Sequence, residues 1–313
     1  MKNQPITRRD SLKKIIHLSG GILVAGNLPL SITTKMVTAA ETLDKWIVEG
    51  IGQQSGYSVK QLTRNVFETA GGMNRFISRG DVVVIKPNIS WARAPQLAAT
   101  TNPEVLEAVI ELCQEAGAKK VRIADHTIHD AQRCFAVTGA GQVAQKTGAE
   151  LIHPRSSMMK KMNLHGNRLD VWPVFTPLVE ADKVINLPVA KVHGLSGLTL
   201  GMKNWIGAVG GRRSALHQDI HLTIVDLAQF FKPHITLIDA TRIMISNGPS
   251  GGSPSDVKVV NRLILSNDPV AADAKGALLF DKKPEDIGFI HLGDKWGLGT
   301  MDPAQLKQYS VVL

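Results

Sequence analysis

Residues 186–204 read NLPVAKVHGLSGLTLGMKN, which sets Lys191, His193, Lys203 and Asn204 among Leu, Val, Gly and Met. Side chains alternate across a strand with a period of two, so Lys191 and His193 share one face. An ammonium group at the end of an apolar strand needs solvent, an anion or a covalent partner, because burial alone disfavours its charge. Lys191 and His193 are therefore the candidate catalytic residues, His193 as a general acid or base. Gly194, Gly197 and Gly201 let the backbone approach a ligand closely, although their spacing matches no phosphate-binding loop.

Similar groups recur along the chain. Lys86 and Asn88 follow the run VVVI, Asp125 and His126 close RIADH, Asp239 stands near the end of ITLIDAT, and Gly248 and Gly251 belong to SNGPSGGSPSD. Lysines neutralise carboxylate or phosphate oxygens. Lys86, Asn88, Lys203, Asn204, Asp239, Gly248 and Gly251 are thus the expected contacts of a cofactor or anionic ligand. His217 and His221 are four positions apart, one turn along a helix face. That spacing can chelate a divalent metal, with His126 or Asp125 completing the ligand set. Solvated histidines at the same spacing are the plainer alternative. Asp268, before Pro269, reads as a helix cap, and Asp273 as part of a solvated helix face. No Gly-x-Ser-x-Gly elbow or Walker-type loop is present.

The elements that must position these groups alternate. DVVVIKPN, KKVRIADH, AELIHP, KVINLPVAKV, ITLIDAT and VVNRLILS read as strands. PEVLEAVIELCQEAG, with Pro at its start and Gly at its end, reads as a helix, as do 131–147, 220–231, 269–280 and 284–292. Strands alternating with helices of this length predict a mostly parallel sheet with helices on both faces, Rossmann-like and three-layered. Active groups in such folds lie beyond the carboxyl ends of the strands, where the polar residues above recur. The expected organisation is a leader over 1–40 and a single α/β domain over 41–313, with 154–178 as a small inserted subdomain.

The chain has 313 residues, 43% hydrophobic and 20% charged, the composition of a globular protein. Its net charge of +9 is uneven, because six of the 36 basic residues but one of the 27 acidic residues fall within positions 1–40. The rest lies near charge balance and has no basic run interleaved with aromatics, which argues against nucleic-acid binding. Two cysteines, Cys113 and Cys134, cannot supply the four thiolates of an iron–sulfur cluster of the chain's own. Thr7-Arg8-Arg9-Asp10-Ser11-Leu12-Lys13 resembles the twin-arginine signal, with Ser11 where Phe is usual. An interrupted apolar stretch and Val37-Thr38-Ala39-Ala40, of cleavage-site type, follow it. The expected partner during export is the twin-arginine translocase, and the expected location is periplasmic or otherwise extracytoplasmic, membrane-tethered if the leader stays uncleaved.

VVIKPNI, RIADH, INLPVAKVHGLSGLTLGMKNWIGAV, TLIDATRIMISNGPSGG and SNDPVAADAKGA together resemble the family called domain of unknown function 362, over about Asp81 to Ala277. That resemblance implies a setting in or beside iron–sulfur proteins, hence a redox partner protein. It supplies no reaction. The functional expectation is an exported protein binding an anionic small molecule in a Lys/His/Asp-lined cleft, with a divalent metal as an open cofactor question. It would act as a redox or group-transfer enzyme, or alternatively as a non-catalytic binding or accessory protein.

Overall fold

The computed structural model describes residues 44–53 and 56–313, so the leader and its cleavage-type pattern lie outside the described residues. In chain order the elements are β1 (Trp46–Ile51), α1 (Val59–Thr69), β2 (Val82–Pro87), α2 (Pro103–Glu115), β3 (Lys120–Ile123), α3 (Ala131–Val137), α4 (Ala140–Thr147) and β4 (Glu150–Leu151). They continue with β5 (Met159–Asn163), β6 (Val171–Phe175), α5 (Pro177–Glu180), β7 (Lys183–Leu187), β8 (Val189–His193) and β9 (Gly197–Thr199). Two 3₁₀ turns, Met202–Ala208 and Arg213–His217, lead into α6 (Ile220–Phe231). Last come β10 (Ile235–Met244), β11 (Val257–Ser266), α7 (Pro269–Leu278), α8 (Gly288–Lys295) and β12 (Lys307–Val312).

The main sheet runs β12-β1-β11-β10-β7-β2-β3-β4, with β8 beside β10 and β9 beside β8. Along the main row only β11 is antiparallel to its neighbours, so the expected mostly parallel sheet is what forms. Its central strands are apolar on both faces. Val83, Ile85, Leu237, Leu263 and Leu265 pack with α1 and α2, whereas Val84, Val184, Ile238 and Ile264 pack with α6, α7 and α8. Alternation with period two thus feeds two cores at once, giving three layers. Among the described residues, no helix is long and apolar enough to cross a membrane.

Three differences from the sequence expectation have local causes. The stretch 131–147 forms two helices because Gly139 adopts φ 84°, left-handed backbone that interrupts a right-handed helix. KVINLPVAKV breaks at Pro188, which has no N–H for the ladder, and β10 pairs with β7 before that point and with β8 after it. Within 154–178, β5 and β6 form a separate antiparallel pair. The turn beyond β5 is held by buried Asp226, whose carboxylate accepts from the backbone N–H of Asn167, Arg168 and Leu169. Cys113 and Cys134 are both buried and unbridged.

Candidate functional site

Beyond the carboxyl ends of β2, β7 and β8 lies a cavity of about 500 Å³. Lys191 and His193 come from β8, Thr199 from β9, and Lys203 and Asn204 from the first 3₁₀ turn. Arg213, Ser214 and His217 come from the second turn, and Asn88, Ser90 and Trp91 from the loop after β2. Gly248 and Pro249 close one side, and Ile128, Leu195 and Ile206 add apolar surface. Among the described residues that border it there is no Asp or Glu.

That charge balance is the site's main physical feature. Lys203 is 8% exposed, and burial holds its ammonium down to a pKa of about 7. Burial, the nearby Lys203 and the Lys86 charge together push Lys191 well below an ordinary lysine. Burial also lowers Arg213, whose guanidinium donates to the His126 carbonyl oxygen. Cations out of water without a carboxylate are costly unless an anion joins them.

The two bordering imidazoles are fixed in opposite senses. Nδ1 of His193 accepts from the backbone N–H of Leu195 at 3.1 Å and of Ser196 at 3.4 Å, so its proton sits on Nε2. Burial, with Lys203, His217 and Lys191, drives its pKa down to about 3, and the ring is a neutral donor at pH 7. Nδ1 of His217 lies 2.9 Å from the Arg213 carbonyl oxygen, to which it donates, leaving a lone pair on Nε2. The rings stack with centroids 6.3 Å apart. His217, rather than His193, therefore has the tautomer of a general base.

Beneath the cavity floor is a fully buried ion pair, Lys86 with Asp125, at 2.5 Å. Lys86 Nζ also donates to the Pro87 carbonyl oxygen at 2.9 Å and to Asn204 Oδ1 at 3.2 Å, three acceptors for the three N–H bonds of an ammonium. Asp125 accepts in addition from the Ile89 N–H at 2.8 Å. Asn204 Nδ2 donates to the Lys86 carbonyl and to Asn186 Oδ1, which locks its amide. Gly207 packs onto this pair, where a Cβ would stand 2.8 Å from Lys86 Nζ and closer still to Asp125 Oδ1. Gly207→Ala is accordingly expected to cost about 1–3 kcal/mol of stability, read as a lower denaturation midpoint in urea. An unchanged midpoint would contradict the packing of the ion pair against this turn.

Several sequence expectations are corrected by these positions. Lys86 does not border the cavity; its charge is spent on Asp125. Asp239 faces away and accepts from Asn102 N–H at 2.7 Å and from the Thr241 hydroxyl at 2.7 Å, securing the start of α2. Gly251 lies against Met244 and Asp256, so of the two loop glycines only Gly248 borders the cavity. The metal set does not assemble. His217 ends a 3₁₀ turn while His221 sits in the first turn of α6, and the break at the Asp219 cap removes the common helix face. The His221 ring packs on Gly288 and Phe289, His126 Nδ1 lies 2.8 Å from the Val209 carbonyl oxygen, and Asp125 is held by Lys86. Among the described residues, no three His, Cys, Asp or Glu side chains come together where they could hold a metal ion.

Asn88, Lys191, His193, Lys203, Asn204 and His217 do meet at one cavity, as does Gly194. Gly197 instead serves a turn at φ 74°, and Gly201 packs against Asp273. Sequence reading missed Arg213, whose GRRS context has no periodicity to place it, and Thr199. It also misread Asp273. That carboxylate is fully buried and accepts from Gly201 N–H at 2.6 Å and Met202 N–H at 2.9 Å, fixing the turn that carries Lys203. Burial outweighs those two bonds and raises its pKa to about 7.

The family called Domain of unknown function (DUF362) matches residues 83–277, more than half of the chain and the whole of the site just described. The chain belongs to this family. It is also 29% identical over 243 residues to a thylakoid-associated protein of Synechocystis sp., covering 75% of this chain and 74% of that protein. Two solved structures are similar in part. One is the lactate racemase apoprotein from Thermoanaerobacterium thermosaccharolyticum, at TM-score 0.43 and 15% identity over 74% of this chain and 55% of that one. The other is a Thermotoga maritima protein, at TM-score 0.43 and 12% identity over 74% of this chain and 61% of that one. This chain therefore spans between about half and three fifths of those solved chains.

Proposed function

We propose that this member of the family is an exported protein whose cavity binds a small organic anion through Lys203 and Arg213. The observation that carries the reading is two buried cationic side chains, Lys203 and Arg213, bordering one cavity without a carboxylate among its lining residues. The volume of about 500 Å³ exceeds what an inorganic ion needs and suits an organic molecule. Trp91, Ile128, Leu195 and Ile206 supply apolar surface for its carbon skeleton, while Asn88 and the His193 Nε2–H supply neutral donors. Group transfer is the reaction class the tautomers favour, with the His217 Nε2 lone pair as the base and Lys203 as the acid. An iron–sulfur cluster serving a redox reaction would come from a partner protein, since two buried cysteines cannot supply its four thiolates. An extracytoplasmic location is supported by the twin-arginine resemblance of the leader and by the thylakoid association of the relative from Synechocystis sp..

Calorimetric titration with phenyl phosphate and succinate tests the anion reading. One equivalent is expected to bind, and Lys203→Met or Arg213→Met is expected to weaken it about tenfold or more, roughly 1.4 kcal/mol. Absence of binding at concentrations of the order of 1 mM, by both probes, would overturn it.

A further inference from the structure

Two buried lysines of this site are held in opposite ways. Lys86 Nζ has three acceptors, one of them the carboxylate of Asp125, as an ammonium requires. Lys191 is 1% exposed, and the one hydrogen bond its Nζ makes among the described residues is donated to the Ala99 carbonyl oxygen at 2.5 Å. A buried ammonium left with one acceptor is short of two, whereas a neutral amine is short of only one and keeps a lone pair for the cavity. Directly across the β8–β9 ladder from Lys191 stands Thr199, 3% exposed, whose buried Oγ1 has no hydrogen-bond partner among the described residues. Both residues border the cavity, and so does Lys203. An unpartnered buried hydroxyl beside a free amine marks the place of an oxygen-bearing ligand.

We propose that Lys191 is a nucleophile that condenses with the carbonyl carbon of an anionic aldehyde or ketone, forming an imine in the cavity. The proposal rests on the anion-binding reading and names the ligand's chemistry. In the step, the Nζ lone pair forms the C–N bond while the carbonyl π pair moves to oxygen, which takes a proton from the Lys203 ammonium. The nitrogen then returns a proton to the Lys203 amine, and the re-formed ammonium protonates the hydroxyl; the C–O bond breaks and water leaves as the nitrogen lone pair forms C=N, and the iminium N–H proton restores the Lys203 ammonium. Aldehyde or ketone plus amine yields imine plus water, without oxidant or reductant. Thr199 Oγ1 is placed to hydrogen-bond the departing oxygen, and Arg213 to hold the ligand's carboxylate or phosphate. Burial and the neighbouring Lys203 charge suppress protonation of Lys191, the device by which a lysine becomes nucleophilic near neutral pH.

The test incubates the full chain at pH 7 with pyruvate, 2-oxoglutarate or pyridoxal 5′-phosphate, each with sodium cyanoborohydride, and maps adducts by peptide mass spectrometry. The panel separates carboxylate from phosphate ligands. The expected result is one stoichiometric adduct on Lys191 with at least one probe, suppressed about tenfold by excess succinate or phenyl phosphate and lost in Lys191→Met. Mapping of the unmutated chain carries the result even where Lys191→Met fails to fold. Adducts spread over surface lysines, a sole adduct on Lys203, or no adduct while phenyl phosphate or succinate still binds by calorimetry would each overturn the imine step and leave the anion site standing. No adduct and no anion binding would overturn both.

Discussion

Lys86→Met is expected to lower the melting temperature by roughly 10 °C, corresponding to about 3–5 kcal/mol of stability. The pair it breaks is completely buried, 1% and 0% exposed at the side chains, and its Lys86–Asp125 distance is 2.5 Å. Removing the cation leaves Asp125 as an uncompensated charge under the site, still bonded to the Ile89 N–H but with its main partner gone. Lys86 also ties β2 to the 3₁₀ turn through Asn204, so the same change loosens the segment carrying Lys203. Adding Asp125→Asn to Lys86→Met removes the stranded charge and keeps an acceptor for Ile89, so the double variant is expected to recover half or more of the loss. Calorimetric melting of both variants checks this. A melting temperature for Lys86→Met within a degree or two of the unmutated chain would show that the pair contributes little.

Stability is expected to rise with pH between 7 and 8.5. Burial holds Lys203 at a pKa of about 7 in the folded chain, against 10.5 when exposed. Between those values the unfolded chain binds the extra proton, so the free energy of unfolding increases with pH. Over pH 7 to 8.5 this one group contributes about 2 kcal/mol. Lys191, also lowered, adds to the same slope, whereas His193, at about 3, stays neutral throughout. Asp273, raised to about 7, opposes this slope below pH 7 and at the lower edge of the window, because its folded-state proton is lost as pH rises through 7. Lys203→Met is expected to reduce the slope and to raise the melting temperature at pH 7 by several degrees, because an uncompensated charge has left the interior. The same variant binds phenyl phosphate poorly, so stability and binding move in opposite directions. In the unmutated chain phenyl phosphate at a hundredfold excess over its Kd is expected to stabilise by about 2.7 kcal/mol, and the same concentration is expected to stabilise less at pH 8.5 than at pH 7. Melting curves across pH, with and without phenyl phosphate, measure all of this; a flat profile from pH 7 to 8.5 would contradict the burial of a free ammonium.

Period and punctuation made the fold legible. Apolar runs such as VVVI and ITLI, separated by helices opening on Pro103 and Pro269, are enough for a parallel sheet covered on both faces. Of the groups the strand-end rule pointed to, Asn88, Lys191 and His193 border one cavity. What the one-dimensional pattern could not convey is pairing. Lys86 looked like a ligand contact until Asp125, 39 positions away, was placed against it. The His217–His221 spacing implies a common face only along an unbroken helix, and Asp219 caps a new one between them. Asp273 looked solvent-facing because its acceptor role toward Gly201 and Met202 lies 72 and 71 positions away. Arg213 carries no periodic signal, since it enters the cavity from a 3₁₀ turn. Residues whose roles depend on their own element could be read, and those whose roles depend on a distant partner could not.

The central claim, that this cavity exists to hold an anion, is tested most directly by a crystal structure of the full chain grown with phenyl phosphate. The account predicts the phosphate bound between Lys203 and Arg213, within hydrogen-bond distance of both, and its ring against Trp91 or Ile206. A cavity filled by ordered water with the phosphate bound elsewhere, or by a side-chain carboxylate swung in to pair with Lys203, would contradict it.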